Sequence, residues 1–153
     1  MSKILNILFR DGEPQAVHTF TGEAVETKSL ILCLPIVLGK RLPDEVREKI
    51  MQRLRLCQTE WGYATEQPDS QLYISDGYWR GPIWAPSTML IVDGLESCGE
   101  HELAVEISRK FCEMVDRSGC AENFDALTGE GLRDRAYTWT ASVMLILAHE
   151  YLM

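Results

Sequence analysis

Five stretches of the sequence are predicted to be helices, and the connections between them constrain the fold. The first is a nearly continuous apolar run, interrupted only by Pro35, that is too short to show a period and is interpreted as a short buried helix. The predicted helices cover residues 29–38, 43–56, 86–98, 101–117 and 138–152. The turns at 39–42 and 99–100 are short, so each should join two antiparallel neighbours, whereas the connections at 57–83 and 118–136 are long. In a train of antiparallel helices, alternate connections emerge at the same end. The sequence therefore predicts an all-α array of antiparallel hairpins with both long connections at one end.

Turn and capping residues mark the predicted ends of the first two helices. Ser29 precedes the first helix, and Gly39 follows it at the position where helices often end with a left-handed glycine. Pro43 is placed at the first position of the second helix, where its missing N–H is tolerated. Residues 1–28 are predicted to be an irregular N-terminal segment, so the folded domain is placed at residues 29–153.

The first long connection concentrates aromatic and charged side chains between residues 76 and 86. Three aromatic rings, one guanidinium and one carboxylate occur there, from Tyr78, Trp79, Trp84, Arg80 and Asp76. Flat aromatic faces bind the apolar faces of sugars, and arginine and aspartate pair with hydroxyl groups through hydrogen bonds. The stretch therefore indicates a carbohydrate site. The alternative is a buried aromatic corner at a helix entry, with Arg80 paired to a carboxylate for structural reasons.

The second long connection carries a carboxylate suited to acid–base chemistry. Glu122 stands where a helix passes into the connection, before stretches of turn-forming residues, Asn-Phe-Asp and Thr-Gly-Glu-Gly. A carboxylate held on a rigid turn opposite an aromatic surface could activate a water molecule at a sugar ring. The alternatives are that Glu122 caps a turn or pairs with Arg80. Asp125, as a turn former, and Glu130, between two glycines, are weaker candidates.

Three motifs together resemble one family of enzymes. They are the stretches at 78–84 (Tyr-Trp-Arg-Gly-Pro-Ile-Trp), 121–131 (Ala-Glu-Asn-Phe-Asp-Ala-Leu-Thr-Gly-Glu-Gly) and 137–142 (Tyr-Thr-Trp-Thr-Ala-Ser). In this order and spacing they resemble the C-terminal part of the six-hairpin, (α/α)6-barrel glycosidases of glycoside hydrolase family 63 and its neighbours, of the mannosylglycerate hydrolase type. The resemblance spans residues 29–151 and implies that the helical hairpins form part of an (α/α)6 toroid.

The resemblance also implies a mechanism and a set of site residues. It implies inverting hydrolysis of glycosidic bonds, expected to be α-linked, in which two carboxyl groups act and Glu122 is the general base. The residues implied to bind substrate are Tyr78, Trp79, Arg80, Trp84, Asn123 and Trp139. Among these, Trp79 and Arg80 match residues that line the sugar subsite next to the bond that is cleaved. The expected partner is accordingly a carbohydrate substrate.

The chain departs from the family pattern in one respect that bears on its chemistry. The family's general acid is an aspartate on an earlier loop of the barrel, and no segment of these 153 residues matches that loop. A complete barrel of six hairpins has twelve helices, against the five predicted from this sequence. The expectation is therefore a partial catalytic domain. Its other half would be absent, encoded by a separate reading frame, or supplied by a second chain or by self-association.

Two other functions remain open from the sequence. The chain could be a non-catalytic carbohydrate-binding or self-associating helical module, using Trp79, Arg80 and Trp84 without chemistry. It could also be an inert remnant of a gene that once encoded a whole enzyme. An adjacent upstream reading frame with the missing helices and the acidic residue would favour the enzyme over both.

Composition narrows the classes of partner. The net charge is −8 and the basic residues form no cluster, which argues against nucleic acids and anionic membranes. No apolar run approaches the length of about eighteen residues that a membrane span requires. The five cysteines show no paired spacing, and the three histidines show no spacing typical of metal ligands. We therefore expect a cytoplasmic protein with free thiols and no metal or other cofactor.

Overall fold

A computed structural model describes residues 6–10 and 12–153, and helical elements make up most of it. The α-helices are α1 Asp44–Cys57, α2 Ala85–Cys98, α3 His101–Ser118 and α4 Thr138–Leu147. A 3-10 segment, Leu30–Arg41, precedes α1, and a π-helical turn, Ala148–Leu152, continues α4. Each of the five predicted helices is therefore found at its expected place in the chain.

The first predicted helix is a 3-10 helix rather than an α-helix. Its predicted start is confirmed, because the Ser29 hydroxyl accepts a hydrogen bond from the Ile31 amide at 3.4 Å. Its predicted end is correct only in part: Gly39, with a φ of 54°, introduces a kink, but the segment continues to Arg41. Pro35 lies inside the segment and has no amide hydrogen to donate, which interrupts the hydrogen-bond ladder of an α-helix. Pro43 is the N-cap of α1 instead of its first residue.

Within the described residues, six two-residue strands form three antiparallel hairpins, so the all-α prediction is correct only in part. The pairs are β1 Phe9–Arg10 with β2 Glu13–Pro14, β3 Ala16–Val17 with β4 Ala24–Val25, and β5 Asn123–Phe124 with β6 Gly131–Leu132. Residues 9–25, predicted to be irregular, contain the first two hairpins instead. Strands this short show no alternation that a sequence pattern could reveal. The predictions for residues 1–5 and 11 lie outside the described residues.

The core contains side chains from the 3-10 segment and from all four α-helices. Helix α2 packs against the 3-10 segment and against both α3 and α4. Its side chains Ile91 and Leu95 are fully buried, as are Ile36 of the 3-10 segment and Phe111 of α3. Contact with several neighbours explains why α2 is apolar around most of its circumference.

The two long connections lie at one end of the helices and the two short turns at the other, as their lengths predict. The long connections meet through two backbone hydrogen bonds, from the Ile83 amide to the Phe124 carbonyl at 2.7 Å and from the Phe124 amide to the Ile83 carbonyl at 3.0 Å. The short turns are also adjacent: Gly39 packs against the last turn of α2, and the Lys40 side chain lies beside Gly99. The prediction that both long connections share one end is therefore confirmed.

Three further features concern the thiols, metal binding and membranes. All five cysteines are free, as predicted, and burial raises the pKa of Cys112 above the ordinary value of a thiol, which keeps it protonated. In the described part of the chain, no three His, Cys, Asp or Glu side chains are grouped so that they could hold a metal ion. The helices of this part are all too short or too polar to cross a membrane.

The close approach of α2 to the 3-10 segment at Gly94 gives a test of the packing. A methyl group on Gly94 would lie 2.6 Å from Cγ2 of Ile36 and 2.9 Å from its carbonyl carbon. We predict that Gly94→Ala lowers the free energy of unfolding by about 1–3 kcal/mol, because overpacking outweighs the better helix propensity of alanine. Urea denaturation followed by circular dichroism measures the change. The control is Asp93→Ala, at an exposed position of the same helix, and a stabilising effect of Gly94→Ala would contradict this packing.

Candidate active site

The two long connections meet through side chains as well as through their backbones. The Tyr78 hydroxyl, in the first connection, donates a hydrogen bond to Oε1 of Glu122, in the second, at 3.2 Å. Partial loss of hydration and the adjacent Glu122 carboxylate raise the pKa of Tyr78 above the ordinary value of a phenol. The Tyr78 hydroxyl therefore stays protonated at neutral pH and remains a donor to Glu122.

The backbone around Glu122 is held from several directions. Its amide donates to the Asp134 carbonyl at 2.7 Å, and its carbonyl accepts from Nε1 of Trp139 at 3.4 Å. The buried Thr140 hydroxyl donates to the carbonyl of Ala121, the preceding residue, at 2.6 Å. Strand β5 begins at Asn123, directly after Glu122. The side chain of Glu122 is thus carried on a stretch of backbone whose polar groups are paired, which fixes the backbone position of this residue.

The turn of the second connection is formed by Asp125, as the sequence predicts. Its Oδ1 accepts hydrogen bonds from the amides of Leu127 at 2.8 Å and Thr128 at 3.2 Å. Glu122 takes no part in this turn. It does not pair with Arg80 either, since no ion pair within residues 6–10 and 12–153 includes Arg80. Both structural alternatives for Glu122 are therefore absent from this part of the chain.

Trp79, Trp84 and Trp139 form a continuous aromatic cluster beside Glu122. Trp79 stacks on Trp84 with ring centroids 4.1 Å apart and planes 8° apart, and Trp139 meets Trp84 edge-on at 5.5 Å. Nε1 of Trp84 donates to the Tyr78 carbonyl at 2.8 Å, which ties the cluster to the residue that contacts Glu122. Trp84 is fully buried, whereas Trp79 is 46% exposed. Trp79 therefore rests one ring face on Trp84 and keeps part of its surface accessible.

The residues predicted to bind substrate divide by exposure. Tyr78, Trp79 and Arg80 are exposed, Trp139 is half-buried, and Trp84 and Asn123 have no exposed surface. The two buried residues can influence a ligand only through their neighbours in this structure. The buried aromatic corner, which the sequence offered as an alternative to a carbohydrate site, is formed by Trp84, and Trp79 lies over it. The buried-corner interpretation therefore describes Trp84 and does not describe the exposed ring of Trp79.

Arg133, which the sequence does not single out, links the same two connections. Its guanidinium forms an ion pair with the Asp76 carboxylate and donates to Oδ1 of Asn123 at 3.3 Å. The guanidinium carbon lies 5.0 Å from the centroid of the Tyr78 ring. The sequence does not show which of Arg133 and Arg135 makes these contacts. The register of the β5–β6 hairpin, which Arg133 follows directly, places Arg133 at this position.

Two cavities adjoin the aromatic cluster. One, of about 810 Å³, lies between α2 and α4, and its lining includes Tyr137 and Trp139. The other, of about 330 Å³, is lined by Trp79 together with Leu30 and Leu34 of the 3-10 segment. Both volumes fall in the range of about 300–1,000 Å³ that small-ligand sites occupy. A ligand that stacks on Trp79 therefore has space beside it.

Comparison with known proteins finds a matching family model and several relatives of similar sequence. The family model for the mannosylglycerate hydrolase MGH1-like glycoside hydrolase domain matches residues 8–140. The mannosylglycerate hydrolase of Thermus thermophilus is 26% identical over 140 residues, covering 88% of this chain and 30% of that enzyme. Mannosylglycerate hydrolase MGH1 of Selaginella moellendorffii is 37% identical over 85 residues, covering 56% of this chain and 17% of that enzyme. The chain therefore spans less than a third of the length of these relatives.

A solved structure shows the same fold. The GH63 mannosylglycerate hydrolase from Thermus thermophilus, in complex with glucose, matches with a TM-score of 0.81 at 21% identity, over 95% of this chain and 35% of that one. At this identity the match shows the fold alone. The family model and the sequence relatives confirm the resemblance to glycoside hydrolase family 63 that the motifs of the two connections indicate.

Trp84 and Trp79 offer a matched pair of substitutions within one stack. We predict that Trp84→Ala lowers the free energy of unfolding by about 3–5 kcal/mol, because it leaves a cavity beneath the site. Trp79→Ala removes a half-exposed ring and should cost less, about 1–1.5 kcal/mol. Urea denaturation of both variants measures the difference. Equal losses would contradict the division into a buried support and an exposed platform.

Proposed function

The chain belongs to the mannosylglycerate hydrolase MGH1-like glycoside hydrolase domain family, and we propose that it forms the part of an inverting glycosidase that carries the general base. Its helical hairpins would then be part of an (α/α)6 toroid. Glu122 activates the water molecule that attacks the sugar, and Tyr78, Trp79 and Arg80 contact the substrate. Full activity requires the rest of a barrel, because the chain covers only 30% of its Thermus relative.

The observation that carries this proposal is the contact between Tyr78 and Glu122 beside the accessible surface of Trp79. The hydrogen bond occupies Oε1 of Glu122, while Oε2 has no hydrogen-bond partner among the described residues. A protonated phenol on one oxygen orients the carboxylate, and the other oxygen can accept a proton from water. A base held in this way, next to an aromatic ring on which a sugar can stack, suits attack of water at a sugar ring.

The general acid is assigned to a part of the barrel outside these 153 residues. An inverting glycosidase needs two carboxyl groups about 6.5–9.5 Å apart, one to activate water and one to protonate the leaving oxygen. Asp76, the other carboxylate beside the aromatic stretch, is ion-paired with Arg133 and is therefore not assigned the role of the acid. The acid would come from elsewhere on the same polypeptide, from a second chain, or from a second copy of this one.

Substrate recognition is assigned to the exposed part of the aromatic stretch. A sugar ring stacks on the accessible face of Trp79, and Arg80, which forms no ion pair within the described ranges, donates hydrogen bonds to hydroxyl groups. Trp84 and Asn123 support this surface from inside, and Trp139 contributes to the wall of the larger cavity. The activity for which the relatives are named makes mannosylglycerate the first substrate to test, with α-mannosides and α-glucosides beside it.

A non-catalytic carbohydrate-binding module is the second candidate, and one observation favours it. The aromatic platform of Trp79 on Trp84 is formed entirely within this chain, whereas only one of the two carboxyl groups of the reaction is assigned to it. Such a module would bind sugars through Trp79 and hydrolyse none of them.

Substrates that need little protonation of the leaving group separate the two candidates. We predict that the isolated chain leaves mannosylglycerate and α-glycosides intact but slowly hydrolyses α-glucosyl or α-mannosyl fluoride, because fluoride departs without a general acid. Inversion gives the β-anomer as the first product, which proton NMR detects. Glu122→Gln should lower this rate by about 10²–10⁴-fold, because the amide cannot take a proton from water. Glu130→Gln, on the exposed turn of the same connection, is the matched control.

The outcomes distinguish the candidates clearly. Fluoride hydrolysis that survives Glu122→Gln would contradict the assignment of the base. Sugar binding that is lost in Trp79→Ala, without any fluoride hydrolysis by the unsubstituted chain, would favour the binding module. Efficient hydrolysis of ordinary α-glycosides by the isolated chain would contradict the assignment of the acid to another part of the barrel.

A further inference from the structure

Arg133 contacts both long connections at the point where Tyr78 meets Glu122. We propose that Arg133 is a positioning residue, which holds the Tyr78 hydroxyl against Glu122 and thereby orients the carboxylate. Its importance for catalysis rests on the proposed function of Glu122 as the base. Arg133 forms no hydrogen bond with Glu122 in the described structure, so its influence passes through Tyr78.

The guanidinium of Arg133 contacts its neighbours in two ways: its N–H groups donate hydrogen bonds, and its face lies over an aromatic ring. Nη1 forms an ion pair with the Asp76 carboxylate and donates to Oδ1 of Asn123 at 3.3 Å, and Nη2 donates to the Asp76 carbonyl at 3.3 Å. The Tyr78 ring lies 5.0 Å from the guanidinium carbon, a distance at which a cation is attracted to an aromatic face. Only a planar group with several fixed donors makes these contacts together, and a lysine ammonium cannot reproduce them.

Asn123 supports this arrangement from inside the protein. It has no exposed surface, and its Oδ1 accepts from Arg133 while its Nδ2 has no hydrogen-bond partner among the described residues. A buried N–H group without a partner is unfavourable. The opposite amide orientation would turn N–H groups toward the cation. The contact with Arg133 therefore governs the orientation of Asn123, and Asn123 in turn holds the guanidinium in place.

The backbone at both ends of the Tyr78–Arg133 contact is strained. Tyr78 has a φ of 62° and Arg133 a φ of 60°, and these are the non-glycine residues with positive φ in the described part of the chain. Residues other than glycine rarely adopt this conformation, so contacts with their surroundings must maintain it. The Tyr78 ring is 44% exposed and meets Trp84 edge-on, with centroids 4.8 Å apart, while the Arg133 guanidinium lies over its face. Loss of the Arg133 contact would therefore leave the ring held by its aromatic neighbours without the cation over its face, and we expect the Tyr78 hydroxyl then to move away from Glu122.

Fluorine NMR of the chain labelled with 3-fluorotyrosine tests this placement without any turnover. Tyr78→Phe assigns the Tyr78 signal, and Glu122→Gln shows how far that signal moves when the carboxylate is removed. We expect Arg133→Ala to move the Tyr78 signal toward that of an exposed tyrosine while the signals of the other tyrosines keep their positions. Arg133→Lys should restore only part of the original position. Arg135→Ala, an exposed arginine of the same connection, is the matched control and should move no signal.

Several results would overturn the proposal. They are a Tyr78 signal that stays in place in Arg133→Ala, an equal shift in Arg135→Ala, or full restoration by Arg133→Lys. If Arg133→Ala does not fold, Asp76→Asn tests the proposal in its place, because this substitution breaks the ion pair and keeps every aromatic ring. A Tyr78 signal that does not move in Asp76→Asn would overturn the proposal. The expected shifts in a chain that hydrolyses no fluoride would count against Glu122 as the base and would leave the placement by Arg133 intact.

Discussion

The pair of backbone hydrogen bonds between Ile83 and Phe124 is the constraint on which the site depends. Both residues are fully buried, and the amide of each donates to the carbonyl of the other. The bridge cannot open without leaving buried polar groups unpaired, which is costly. Trp84 follows Ile83 directly, and Glu122 lies two residues before Phe124 in the sequence. One buried bridge therefore sets the relative positions of the aromatic cluster and the carboxylate.

Apolar packing and polar contacts serve different parts of this site. The burial of Trp84 beneath Trp79 forms a firm platform, since large buried rings contribute strongly to stability. The contacts of Tyr78 with Glu122 and of Arg133 with Asp76 lie at the surface, where hydration makes each of them weak by itself. The backbone is thus fixed by burial, while the side chains that face a ligand are oriented by contacts that a ligand can replace.

The parts of the fold that depend on repeated patterns are predictable from the sequence. Apolar periodicity predicts the longer helices, and the alternation of short and long connections predicts that Glu122 and Trp79 share one end. Features that depend on a single backbone conformation are not predictable in this way. The sequence singles out Arg80 as an arginine that could pair with a carboxylate, but Arg80 forms no ion pair in the described residues. Arg133, which has a positive φ, pairs with Asp76 instead. The 3-10 geometry around Pro35 and the two-residue strands escape detection because they are too short or too local to show a period.

Amide hydrogen exchange at Ile83 and Phe124 tests the joining of the two connections most directly. Both amides are predicted to exchange as slowly as that of Leu95 in the buried helix α2, because opening them requires the buried bridge to separate. The exposed residue Ser75, in the same connection as Ile83, should exchange far faster. Exchange of Ile83 and Phe124 at the rate of Ser75 would mean that the connections move independently, and it would contradict a preformed site.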